Sequence, residues 1–172
     1  MAEGYWNHVE PIWDAISIYD GPKTFLRQFS RVPEHAGYLF AVHWCTSEVC
    51  NGGFHQFFFN STGILAPEAV AGFRTVGMPQ TAAVIAEAMA RLGDPFPRDR
   101  FLRQNALDAL DPDDMDDDDD WIDPFDDLDS RFYDLYETEN GGWQAIDRYA
   151  AQFPVPEPPR KPGLLGRLFG KR

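Results

Sequence analysis

Cysteine is almost missing from this chain of 172 residues: there are two, Cys45 and Cys50. That is too few for the disulfide framework of a small secreted domain. Long apolar runs are missing too. The longest, GYLFAVHWC over 37–45, falls short of the roughly 18 residues a membrane span needs, and it carries a histidine. The opening MAEGYWNHVEPIW has no basic region and no apolar signal core, so the expectation is a cytoplasmic protein without stable membrane association. No stretch sustains period-two alternation, and no Asn-Gly or Asp-Gly hairpin lies between β-branched runs, which argues against a β fold. There is no Gly-rich phosphate loop, no Gly-x-Ser-x-Gly elbow and no His-Glu-x-x-His pair. His43, Cys45, Cys50 and His55 do not have zinc-ligand spacing. On a helix the two cysteines diverge by about 140°, and both read as small buried side chains. The expectation is a non-enzyme with no cofactor and no metal.

What is present is aromatic and helical. Fourteen Phe, five Trp and six Tyr, within 44% hydrophobic composition, supply enough burial for one sizeable core. Pro11, Pro22, Pro33, Pro67, Pro79 and Pro97 sit at or just before apolar-periodic segments, where proline's missing N–H costs nothing. Gly21, Gly77 and Gly93 follow such segments, as carboxyl-terminal caps do. The marks predict helices over 9–19, 22–30, 33–50, 67–76, 79–92 and 99–110, with further helical periodicity after residue 125 and a last helix over 143–153. "RDRFLR" and "DSRFYD" read as ordinary charged helix faces. The fold class is all-α, a single compact multi-helix domain over 5–153 with an acidic loop inside it, followed by a flexible tail over 154–172.

The densest motif is NGGFHQFFFN, 51–60. On a helix Phe54, Phe57 and Phe58 share one face, with Phe59 flanking. The glycine pair ends the helix before it and lets the chain turn. A buried aromatic helix is the simplest reading, ahead of a ligand pocket or a catalytic site. The motif, read as Glu48-Val49-x-Asn51-Gly52-Gly53-Phe54-x-Gln56-Phe57-Phe58-x-Asn60 with Gly63 and a Pro67-Glu68-Ala69 helix start, resembles the signature of the DNA-mimic protein family, small acidic bacterial proteins with an all-helical domain. The resemblance implies that fold. It also implies a protein that presents carboxylates in place of DNA phosphates to a transcription factor. The signature transfers architecture better than function. Glu48, Gln56 and Asn60 then read as buried hydrogen-bonding groups that fix a helix junction.

Charge is concentrated in one place. The formal net charge is −13, and the stretch from Asp108 to Asp134, with fourteen Asp and one Arg, carries the same −13 by itself. Direct nucleic-acid binding is disfavoured, because it needs a basic footprint. Three readings of LDPDDMDDDDDWIDPFDDLD stay open: carboxylates imitating a phosphate strand, weak divalent-cation binding, and a solvated loop. An EF-hand fails, since from Asp111 position five is Met115, position six is Asp116 and position twelve is Ile122. The candidate partner-binding residues are Asp111, Asp113, Asp114, Asp116, Asp117, Asp118, Asp119, Asp120, Asp123, Asp126 and Asp127, with Trp121, Ile122, Phe125 and Leu128 anchoring the far end. The expected partner is a basic protein, a transcription regulator among the candidates. The alternatives are an immunity-type inhibitor of a basic toxin or nuclease and an Asp-rich cation binder. The aromatic surplus leaves a homodimer open. Beyond a polyproline-like PVPEPPRKP, the basic amphipathic tail GLLGRLFGKR is long enough to fold back on Asp111–Asp120.

Overall fold

A computed structural model describes residues 4–110 and 123–158 of the chain. Among them the fold is all-α, without a strand. Helix α1 (Trp6–Val9) tightens into a 3-10 segment, Glu10–Ala15; α2 (Gly21–Phe29) and α3 (Glu34–Phe59) follow. A 3-10 turn, Ser61–Leu65, leads into α4 (Ala66–Thr75), α5 (Pro79–Arg91) and α6 (Arg100–Asp108). After the acidic run come α7 (Asp126–Thr138), a 3-10 turn, Glu139–Gly141, and α8 (Trp143–Ala150). Asp111–Asp120, Trp121, Ile122 and the basic tail lie outside the described residues.

Proline places most of the helix starts as expected: Pro22, Pro67 and Pro79 occupy first-turn positions and Pro33 is the N-cap of α3. Two boundaries differ. The single helix expected over 9–19 is short instead, because Pro11 cannot continue the ladder of α1 and the chain is extended by Ile16. Gly21 opens α2 rather than closing the helix before it. The glycine pair does end one helical segment as expected: α3 reaches Phe59 only across a kink at Gly52 and Gly53, whose backbone is not helical, so it is two helical segments joined end to end.

Helix α3 is apolar on nearly every side, so it lies at the centre. It packs against α1, α4, α6, α7 and α8, while α4 packs on α5 and α5 on α7. Leu39, Phe40, Val42, Cys45, Val49, Phe54, Phe57 and Phe58 of α3 are all buried. Phe54 meets Phe132 of α7 edge to face, with ring centres 5.6 Å apart, and Phe58 lies 5.6 Å from Phe125. These offset and edge contacts are the favoured geometries for aromatic pairs. The aromatic motif is therefore core, with Phe59 at its exposed flank. A second cluster, Trp13 stacked on Trp44 at 5.0 Å and set edge to face against Phe40, holds the amino-terminal segment onto α3. Cys45 is buried as expected, but Cys50 is exposed.

Candidate functional site

The signature residues converge on the second half of α3. Glu48 is their hub. Its Oε2 accepts from Gln56 Nε2 at 2.8 Å and from Asn60 Nδ2 at 2.9 Å, and its Oε1 accepts from Thr62 Oγ1 at 2.8 Å. Asn51 reaches Gln56 Oε1 only at 3.4 Å and is exposed. Glu48, Gln56 and Asn60 are half-buried rather than fully buried. The carboxylate thus ties residues on both sides of the kink to the turn that follows α3. Glu48→Ala leaves three donors without their acceptor and is expected to cost about 2 kcal/mol. Glu48→Gln keeps one oxygen for Gln56 and Asn60 and lets Thr62 accept instead, so it should cost under about 1 kcal/mol. Urea unfolding of the two variants against wild type measures the difference.

The kink has its own partners, and they come from α7. Gly53 sits at φ +71°, ψ −177°, a backbone conformation that side chains rarely adopt. A Cβ there would run into Asp129 Oδ2. In a straight helix Phe54 N–H would donate to the carbonyl of residue 50. Here it donates to Asp129 Oδ1 at 2.8 Å, and Tyr133 Oη donates to the Val49 carbonyl at 2.9 Å. Asp129 and Tyr133 are four apart, so they project from one face of α7. Asp129 is buried, and its pKa is pushed up to about 6, first by burial and then by the nearby Asp123, Asp126 and Asp127, against the Phe54 hydrogen bond that pulls it down. The "DSRFYD" face is therefore not a plain charged surface.

The "RDRFLR" face departs from expectation for a similar reason. Arg103 is fully buried. It donates to the carbonyls of Phe58 (2.9 Å), Asn60 (2.8 Å) and Arg98 (2.6 Å), closing the carboxyl end of α3. Gly63 is required by this closure: a Cβ would lie 2.7 Å from the Phe57 carbonyl oxygen and 2.8 Å from Arg103 Nε. Pro67 begins α4, and the adjacent Glu68 receives a two-pronged pair from Arg98, both contacts at 2.8 Å. Apart from the exposed Asn51, the signature residues thus serve the kink of α3 and the turn that follows it. The distant partners Asp129, Tyr133, Arg98 and Arg103 complete this junction.

Three of the candidate partner-binding aspartates are described. Asp123 is half-buried and accepts from Phe125 N–H at 2.8 Å. Asp126 is exposed. Asp127 forms a two-pronged ion pair with Arg91, at 2.9 and 2.8 Å, which holds its carboxyl below the usual carboxylate range. Arg91 also donates to the Pro124 carbonyl and lies over the Phe125 ring. Phe125 and Leu128 are fully buried, so the carboxyl end of the acidic stretch is pinned to α5 and α3. The exposed carboxylates Asp126, Asp134 and Glu137 lie within 80° of each other around α7. Asp111, Asp113, Asp114 and Asp116–Asp120 lie outside the described residues. Among the described residues no group of three or more His, Cys, Asp or Glu is placed to hold a metal ion, and no helix is long and apolar enough to cross a membrane.

Comparison with curated proteins and with solved structures gives no match. A family model does match: the one described as DMP19-like protein covers residues 30–153, which takes in α3 to α8 and the whole junction around Glu48. The chain belongs to the DMP19-like protein family.

Proposed function

We propose that this protein is a non-enzymatic DNA mimic, whose acidic stretch occupies the DNA-binding surface of a basic protein. Family membership supports the reading. The observation that carries it is the charge map: the entire formal charge of −13 is matched by the stretch 108–134, and the described end of that stretch is held on a rigid helix by buried Phe125, Leu128 and Phe132. Fixed carboxylates lose less conformational freedom on binding than mobile ones.

Charge density sets the division of labour within the stretch. Asp126 to Glu137 spans about 16 Å of helix, over which one DNA strand presents about five phosphates. Helix α7 offers three exposed carboxylates there without an ion-pair partner among the described residues, Asp126, Asp134 and Glu137, since Asp127 is engaged by Arg91. The helix alone is sparser than DNA. The Asp111–Asp120 run must supply the rest of the imitation, with α7 as its rigid border.

Attraction of this kind acts over a screening length of about 8 Å at physiological salt, so it speeds association and weakens as salt rises. The test is capture of partners from lysate on wild type and on a variant with Asn at Asp116 to Asp120. Each captured protein is then assayed for DNA binding in competition with the mimic. A DNA-binding protein held by wild type, lost in the variant, and displaced from its DNA in a salt-sensitive way is the expected result. Equal capture by both forms would overturn the assignment of the Asp run. Capture of a nuclease or toxin without a DNA site would place the protein with inhibitors instead.

A further inference from the structure

The acidic chain also carries a basic cavity. It has a volume of about 160 Å³ and lies where the start of α2, at Gly21 and Pro22, faces the start of α6. Arg98, Arg100 and Arg103 all line it, with Ser61. We propose that this cavity is a binding site for a phosphate group, free or carried by a small phosphate monoester. The proposal does not depend on the mimic reading.

The charges around the cavity do not balance. Arg98 is neutralised by Glu68. Asp99 also lines the cavity; it caps α6 through Phe101 N–H at 3.0 Å and Leu102 N–H at 3.3 Å and keeps its negative charge, so it offsets one of the two arginines that remain and leaves the cavity one positive charge in excess. Arg100 and Arg103 have no carboxylate in ion-pair range among the described residues. Arg100 donates to the Phe59 carbonyl at 3.1 Å and lies over the Phe59 ring. Arg103, fully buried, meets only neutral carbonyls. A guanidinium has five N–H donors, and three hydrogen bonds are made by this one. Buried charges are ordinarily paired with an opposite charge. Burial, reinforced by the neighbouring Arg100 and opposed by Asp99, pulls the Arg103 pKa down to about 10. Helix α2, nine residues long, has no side-chain cap on its amino end, which adds a positive partial charge at the same cavity. An oxyanion held by the exposed Arg100 and the open end of α2 would answer all of these at once, acting through space on the Arg103 charge, which solvent does not reach. Arginine is the side chain best matched to phosphate geometry, and the cavity volume suits a phosphate group, not a nucleotide.

The probes are inorganic phosphate and glycerol 3-phosphate, with sodium chloride at matched ionic strength as control. The control matters because any salt screens the repulsion within an acidic chain. Binding is read by thermal shift and by the arginine Nε–Hε signals in nitrogen-15 NMR. Arg103 closes α3, so its removal would confound folding with binding; Arg100→Gln is the variant of choice, since Arg100 is exposed. The expected result is saturable binding in the millimolar range, with selective movement of the Arg100 and Arg103 signals and affinity at least fivefold weaker in Arg100→Gln. Saturation by the monoester as well assigns a phosphorylated small molecule; saturation by phosphate alone assigns the free ion. Shifts that do not saturate, that sodium chloride reproduces, or that Arg100→Gln leaves unchanged would overturn the site.

Discussion

Arg103→Met is expected to destabilise the fold by about 3 kcal/mol, the loss at three bared carbonyls less the desolvation cost of an unpaired buried charge that methionine relieves, and a large share of the total stability of a domain this size. The methionine fills much of the same volume, so little of the loss comes from a cavity. The loss comes from the carbonyls of Phe58, Asn60 and Arg98, which lose the donors that Arg103 brings to them. The last carbonyls of a helix have no partner within it, and here they face a side chain with no exposure to water. An acceptor left bare in such a place loses about 1–3 kcal/mol. Arg103→Lys separates charge from geometry. One ammonium cannot reach three carbonyls set around a planar fork, so the lysine variant should recover less than half of the loss. Urea unfolding midpoints, with the slopes checked for constancy, decide this. A loss below about 1 kcal/mol for Arg103→Met would mean that water replaces the guanidinium and that the clamp is not structural.

How legible the fold was depends on where each interaction lies along the chain. Local signals were readable. Prolines in first turns placed α2, α4 and α5, and the i, i+3, i+4 spacing of Phe54, Phe57 and Phe58 named a buried face correctly. The signature also named the residues of one junction, because Glu48, Gln56, Asn60 and Gly63 meet within sixteen positions of sequence. What could not be read was every partner supplied from a distance. Arg103 and Asp129 looked like surface charges because the apolar pattern around them fits a charged face. Their roles are fixed by α3, 45 and 75 positions away. Glu139 is a similar case: it accepts from Gln80 and Thr81 N–H, each at 2.8 Å, and so caps α5 from 58 and 59 positions away. A helix end with no Ser, Asp or Asn at its own cap position is the available hint, since its donors must then be met from elsewhere. The glycine pair was legible as the place where one helix ends and the chain turns into the next; what lay out of reach is its closure from α7, whose Asp129 and Tyr133 meet the backbone groups freed at the kink.

That kink yields the other large effect. Gly53→Ala is expected to cost about 3 kcal/mol or more, from two sources that act together. Alanine at φ +71°, ψ −177° is strained by about 1–3 kcal/mol, and its Cβ would displace the Asp129 carboxylate that holds Phe54 N–H. Asp129 then distinguishes the two sources through pH. Its native pKa of about 6 lies above the ordinary value of 3.8, so the folded state holds this proton more tightly than the unfolded chain does. The contribution to stability is fully present below pH 4, declines as pH rises from 4 to 6, and is flat above. Discounted for the solvent that still reaches the residue, the decline amounts to about 2 kcal/mol. Asp127 works in the opposite direction: Arg91 holds its pKa down, so its contribution falls as pH drops through its lowered pKa. The two are separated by Asp129→Asn, which keeps an oxygen for Phe54 N–H and carries no proton in this range. Wild type minus Asp129→Asn, followed by urea unfolding from pH 4 to pH 8, should isolate a curve that falls between pH 4 and 6, with the Asn variant the more stable at pH 7. A difference curve that rises with pH would mean the carboxylate is held charged, as a true helix cap, and that the kink is electrostatically stabilised instead of strained. In the Gly53→Ala background the same curve should flatten, because a displaced Asp129 regains water and an ordinary carboxylate pKa.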